Sequence, residues 1–114
     1  MIASIIRTAY FSLTIVIRRV SMIESFGNKQ TEKIYQGERV AKLPLEIQRI
    51  GLRKLIMFGH SQDIKDLTIP PSNRLEKLKG NMKAYHSIRI NDQWRIVFKW
   101  IDNNAFDVEI IDYH

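Results

Sequence analysis

His86-Ser87-Ile88-Arg89-Ile90-Asn91-Asp92-Gln93-Trp94-Arg95-Ile96-Val97-Phe98 holds two runs in which apolar side chains recur at every second position, separated by three polar residues. That alternation marks strands with one buried face, and Asn91-Asp92-Gln93 marks the turn between them. A three-residue loop places Ile90 opposite Trp94, Ile88 opposite Ile96 and His86 opposite Phe98, all on one side of a sheet. A two-residue loop would set Ile88 opposite Arg95 and mix the faces, which a half-buried sheet does not tolerate. The longer loop is therefore expected.

The same logic extends through the polar break at Asp102-Asn103-Asn104 to a third strand. An Ile101 to Ala105 turn sets Trp100 with Phe106, Phe98 with Val108 and Ile96 with Ile110 on the apolar face. The opposite face then carries Arg89, Arg95, Lys99, Asp107, Glu109 and Tyr113, a polar and partly cationic surface expected to stay open because the helices cover the other side. Trp94 and Trp100 fall on the core face, not on a base-stacking platform.

Upstream, Met22 to Phe26 alternates as a short strand, closed by Gly27-Asn28. Thr31 to Gly37 reads as a brief helix stopped by glycine. Pro44 suits the first turn of a longer helix in which Leu45, Ile47, Ile50, Leu52, Leu55 and Ile56 recur at three- and four-residue intervals as a core stripe. Arg49, Arg53 and Lys54 gather on its outer face, either as a solvated charged surface or as phosphate contacts. Gly59 to Asn73, with Pro70-Pro71, is an ordered loop that Ile64, Leu67 and Ile69 should pin to the body. The expected architecture is a single α+β domain with two N-terminal helices packed on one face of a small, mainly antiparallel sheet.

Composition agrees with one domain. The 114 residues are 45% apolar and 26% charged, within the range of folded globular proteins. Eighteen Lys and Arg stand against 12 Asp and Glu, a net charge of +6 that favours polyanionic partners. Arg7, Arg18 and Arg19 lie before Met22, so residues 22–114 carry 15 basic and 12 acidic side chains, only +3. A local patch must therefore supply any affinity for RNA.

There is no cysteine, which removes disulfides, thiolate zinc sites and cysteine nucleophiles and fits a reducing cytoplasm. His60, His86 and His114 stand far apart with no pair at a metal-ligand spacing. No phosphate loop, nucleophile elbow or dinucleotide fingerprint is present, so ATP, NAD and acyl-enzyme chemistry drop out and no cofactor is expected.

The first 21 residues form a separate problem. Ala9 to Ile17 is apolar and β-branched, but nine residues are too few to cross a bilayer, and no cleavage pattern of a secretory signal follows. The segment is either an extra element lying against the domain or translated upstream sequence with the natural start at Met22.

Asp112-Tyr113-His114 ends the chain with three polar, proton-handling side chains, each of which needs hydrogen-bond partners or water. They mark a candidate site. RNA cleavage by its own 2′-hydroxyl needs a base for that proton, an acid for the departing 5′-oxygen and positive charge at the phosphate. Arg95 and Tyr113 share the polar face, and Lys79 can approach from the preceding loop. Histidine alone titrates near neutrality, with an ordinary pKa of about 6.5, and the neighbouring Asp112 favours its protonated form, so His114 is assigned as general acid. Each residue also has a structural reading. Arg95 could pair with Glu109 or Asp107 across the sheet, Lys79 could be solvated, and Asp112 to His114 could be a frayed end.

In order, Arg74-Leu75, Leu78-Lys79-Gly80, His86 to Ile96 and Asp112-Tyr113-His114 closely resemble the HigB branch of the RelE-type bacterial toxins. The resemblance runs from Met22 to His114, which favours upstream translation for residues 1–21 and a toxin domain over 22–114. It implies the RelE-like microbial ribonuclease fold and a metal-free, ribosome-dependent endoribonuclease that cuts mRNA. It also implies a HigA-type helix-turn-helix antitoxin, and through it indirect association with DNA. Functional weight in that family falls on the terminal triplet and on the residues matching Lys79 and Arg95. Some relatives carry histidine where this chain has Glu76, which is either the base or a surface residue. Arg74, Arg89, Lys99, Arg49, Arg53 and Lys54 are the candidate RNA contacts. The residues by themselves leave open a non-catalytic RNA-binding module using Arg89, Arg95 and Lys99, and an interaction protein docked through the sheet face or edge.

Protein made from Met22 should fold as the full chain does. Circular dichroism and thermal melting of the two forms check this; loss of cooperative unfolding in the shorter form would show that residues 1–21 are needed.

Overall fold

Asn28 does more than close a strand: its Oδ1 accepts the Thr31 N–H at 2.8 Å, satisfying a donor that every helix start leaves free. The computed structural model describes residues 22–113, and helix α1 runs from this cap over Lys29–Tyr35. Gly37, at φ 87°, carries the chain away from the helix and donates to Ile34 O at 2.9 Å. Helix α2 spans Leu45–Phe58, with Pro44 at its cap position. Its buried face is Ile47, Gln48, Gly51, Leu55 and Phe58. Leu45 and Ile56, expected in the same stripe, are 56% and 44% exposed. At about 100° per residue they project from the side opposite Ile47 and Phe58, so the intervals linking them belong to a second, outward stripe.

Two short 3₁₀ turns, Ile64–Thr68 and Pro71–Asn73, order the loop that follows. Leu67 is fully buried and Ile64 packs against the core, but Ile69 is 69% exposed and pins nothing with its side chain. Buried Asn73 holds that stretch by its backbone instead, donating Nδ2 to Leu67 O at 3.0 Å and Ile69 O at 3.4 Å.

The sheet comprises β1 (Glu76–Lys77), β2 (Tyr85–Arg89), β3 (Trp94–Ile101) and β4 (Asn104–Asp112), antiparallel in the order β1-β2-β3-β4. The expected Met22 to Phe26 strand lies along the free edge of β4 as two parallel bridges, Ile23 to Ala105 and Phe26 to Val108. The helices pack on one face, where Phe58 meets Phe98 edge to face at 4.9 Å and Gly51 admits Ile110 so closely that a Cβ there would stand 2.9 Å from its Cδ1. Trp94 and Trp100 are partly buried against this core. This is the α+β arrangement expected.

The β2–β3 register pairs His86 with Phe98 and Ile88 with Ile96, as the alternation predicts. Between β3 and β4, Ile96 pairs with Ile110, but Trp100 faces Ala105 where Phe106 was expected. Two local features explain this. Asp102 and Asn103, at φ 48° and 65°, form a two-residue turn whose left-handed residues match the strand twist. A bulge between the Lys99–Phe106 and Val97–Glu109 pairs, with Asp107 at φ 53°, then inserts the extra residue that restores the frame. Ser25 Oγ braces the bulge by accepting the Asp107 N–H at 2.9 Å.

The second face departs from expectation. Ser87, Arg95 and Val97 are buried there, so it is not an open polar surface. The chain from Arg74 to Met82 folds over it, since Arg95 reaches the Arg74 carbonyl and residues 76–79 and 82 line one cleft with Ile111 and Tyr113.

On the core face, His86 stacks against Phe98 at 5.9 Å with its Nδ1 buried and unpartnered among the described residues. Burial, and secondarily Lys77, lower its pKa below the ordinary 6.5. The folded protein thus resists a proton that the unfolded chain accepts. This protonation-linked cost is absent well above that pH and grows as pH falls from it toward the lower folded-state pKa. His86→Phe should remove this component, so the stability difference between about pH 7.5 and about pH 5.5 shrinks in urea denaturation. Equal acid sensitivity in parent and variant would refute the assignment.

Candidate active site

Tyr113 leaves the end of β4 with its N–H bonded to Gln93 O at 2.6 Å, which ties the terminal segment to the β2–β3 loop. Asp112, paired with Trp94, accepts from Gln93 Nε2 at 3.1 Å. These contacts hold Asp112 and Tyr113 against the sheet, so they are not a frayed end. His114 lies outside the described residues.

Glu76, Leu78, Lys79, Met82, Ile111 and Tyr113, with Lys77, enclose a cleft of about 430 Å³. One wall comes from β1 and the 3₁₀ turn Gly80–Met82; the other is the last part of β4. Glu76 stands opposite Ser87, on the same face as Tyr113. Three of the expected catalytic side chains, Glu76, Lys79 and Tyr113, therefore share one cavity.

Arg95 adjoins them. Its guanidinium lies over the Tyr113 ring, 5.6 Å from the centroid. It is 7% exposed, with Nε donating to Ser87 Oγ at 2.8 Å and Nη2 to Arg74 O at 2.7 Å. Neither cross-sheet carboxylate pairs with it. Glu109 accepts from Asn28 Nδ2 at 3.2 Å, and Asp107 meets Lys99 Nζ at 3.3 Å. Arg95 thus places a cation beside the cleft whose hydrogen bonds to Ser87 Oγ and Arg74 O go to neutral oxygens, an arrangement that attracts an anion.

The remaining basic candidates separate into two groups. Arg74, exposed in the left-handed conformation at φ 44°, directly precedes the cleft wall. Arg89 is ion-paired with Asp92, while Lys99 is held by Asp107 and by the Tyr85 ring at 5.3 Å. These two do not form an unobstructed phosphate track. Arg49, Arg53 and Lys54 belong to α2, on the other side of the sheet from the cleft. Lys54 donates to Asn73 Oδ1, and its pKa is lowered by burial and by the positive charges of Arg53 and Arg89.

Ser87 was not selected from sequence. Its signal was available: the alternation that places Arg89 and Arg95 on the second face places Ser87 there too, a hydroxyl on a buried strand that needs a partner. The apolar cleft walls Leu78, Met82 and Ile111 were also missed, the first two because the 76–82 segment has no regular period, and Ile111 because its strand face was taken as open.

A family model described as a RelE-like toxin of type II toxin-antitoxin system HigB matches residues 24–114. The chain belongs to this family. Among HigB relatives, Toxin HigB-1 of Vibrio cholerae serotype O1 is 39% identical over 87 residues, spanning 75% of this chain and 92% of the relative. Endoribonuclease HigB of Proteus vulgaris is 30% identical over 94 residues, 82% of this chain and all of the relative, 100%. Among solved structures, the YoeB-YefM complex from Staphylococcus aureus aligns over 84% of this chain and 98% of its own, at 22% identity and a TM-score of 0.48. YafQ from E. coli strain BL21(DE3) aligns over 83% and 92%, at 13% identity and a TM-score of 0.46. As a HigB-like toxin of a two-component system, the protein has an antitoxin as its partner. Among the described residues no helix is long and apolar enough to cross a membrane.

Proposed function

We propose that this HigB-like toxin is an endoribonuclease that cuts mRNA on the ribosome, in the cytoplasm, and that a HigA-type helix-turn-helix antitoxin restrains it and links it indirectly to DNA. The observation that carries this reading is the shared cleft of Glu76, Lys79 and Tyr113 beside the buried Arg95. In the proposed reaction the 2′-oxygen loses its proton to a base, attacks phosphorus and forms a cyclic phosphate, while the 5′-oxygen departs with a proton from an acid. Glu76 is positioned on the cleft wall to accept the first proton, and His114 is the candidate for the second. Asp112 would orient His114.

Arg95 and Lys79 would stabilise the charge that accumulates on the phosphate oxygens, without a metal or other cofactor. Tyr113 has its ring against Arg95 and lines the cleft, and would stack on an unpaired base. Arg74 would contact the strand next to the cleft. Arg49, Arg53, Lys54 and Arg89 lie outside it and would instead meet ribosomal RNA, where many weak phosphate contacts add to affinity without specifying sequence. Such dependence on the ribosome suits a domain whose net charge is small, because the ribosome presents the message already ordered.

His114→Ala and Arg95→Ala should each lower mRNA cleavage on translating ribosomes by on the order of a hundredfold to ten-thousandfold, with naked mRNA left intact by the parent. Glu76→Gln and Lys79→Ala should act in the same direction. Primer extension on one message, free and then translated, reads both conditions. Binding of ribosomes or RNA without cleavage by the parent would replace this reading with a non-catalytic RNA-binding module.

A further inference from the structure

Ser87 has 0% exposure, sits in the middle of β2, and accepts the Arg95 Nε–H at 2.8 Å. The same guanidinium donates Nη2 to the carbonyl of Arg74, and Arg74 holds a left-handed backbone just before Glu76 and Lys79. An arginine head has five N–H groups in one rigid plane, so two fixed bonds set the direction of the rest. The aromatic ring of Tyr113 lies beside the Arg95 guanidinium, its centroid 5.6 Å from Cζ. We propose that Ser87 is a positioning residue for cleavage: its hydroxyl fixes the Arg95 plane so that the remaining N–H groups meet the scissile phosphate, and the bond to Arg74 O sets the Glu76–Lys79 wall at the matching distance.

This rests on the endoribonuclease reading but assigns a role to a residue that need not touch RNA. Without its acceptor, buried Arg95 keeps its charge and loses its orientation. Transition-state contact is sensitive to that loss because charge grows on the phosphate oxygens at a defined place.

The test is a double-mutant cycle of Ser87→Ala and Arg95→Lys, scored by single-turnover cleavage at saturating ribosomes together with the ribosome concentration giving half-maximal rate. Lysine retains the charge but has no N–H in the Nε position for Ser87 to hold. Ser87→Ala alone should lower the saturated rate by roughly tenfold to a hundredfold while leaving the half-maximal concentration unchanged. In the Arg95→Lys background the same substitution should change the rate by less than about twofold. Ser87→Thr, which keeps the hydroxyl, should retain the larger part of the parental rate. If Ser87→Ala fails to fold, Ser87→Cys, close in volume and a weaker acceptor, takes its place with the same expectation. Parental activity in Ser87→Ala, or an equal loss in both backgrounds, overturns the proposal while cleavage itself stands. Absence of cleavage by the parent overturns both together, and parental activity in Arg95→Lys shows that no defined guanidinium geometry is needed and overturns the positioning role alone.

Discussion

A guanidinium held inside the sheet constrains the rest of this molecule. Burying an arginine costs several kcal/mol unless its N–H groups are satisfied, and Arg95 meets part of that demand through the Ser87 hydroxyl and the Arg74 carbonyl. Those two acceptors lie on different segments, β2 and the turn preceding β1. The same side chain therefore joins the centre of the sheet to the loop that supplies Glu76 and Lys79. Neutral acceptors satisfy hydrogen-bonding valence without cancelling charge. The positive charge that Arg95 keeps beside the cleft is thus a consequence of how the arginine is bonded, and the fold-stabilising contacts and the uncompensated charge reside in one group.

The route by which the chain reaches the cleft follows from that anchor. The 3₁₀ turn Pro71–Asn73 ends in Arg74 at φ 44°, a conformation that non-glycine residues adopt at some energetic cost. Its carbonyl is then turned toward Arg95, and buried Asn73 fixes the preceding residues through Leu67 O, Ile69 O and Lys54 Nζ. Glu76 and Lys77 pair with β2 and the Leu78 N–H adds one further bond, to Tyr85 O at 2.9 Å, a short ladder for positioning the whole segment. Side-chain anchors at both Asn73 and Arg95 supply what the short strand lacks.

Much of the sheet was legible because a one-residue slip would expose its apolar set. Ile88, Ile96 and Ile110 could only be brought together in one register, and the structure pairs them as read. The β3–β4 turn was misread because a two-residue turn with a bulge and a three-residue turn give the same register beyond the bulge. Nothing in Asp107 as a residue type announces φ 53°. The helix stripe was over-read at Leu45 and Ile56, where three- and four-residue spacing continues around to the exposed side. Tyr113, Glu76 and Lys79 were picked from the sequence as candidates by residue type, but their common cleft was not legible there. That proximity depends on an irregular segment folding over a face that alternation alone represents as open.

The basic residues of α2 are physically distinct from those at the cleft, and their surroundings explain why. Burial makes the charge of Lys54 less favourable, and the like charges of Arg53 and Arg89 add to this. A polyanion passing that surface would relieve the repulsion at many geometries, because separate exposed cations tolerate displacement. Arg95 has the opposite character: buried, doubly bonded and set against the Tyr113 ring, it is held in one geometry. Diffuse attraction and fixed geometry are thus assigned to different layers of the fold, the helices and the covered sheet face. Under the proposed function, a change in the first would alter how often RNA arrives, and a change in the second what happens to the phosphate once there.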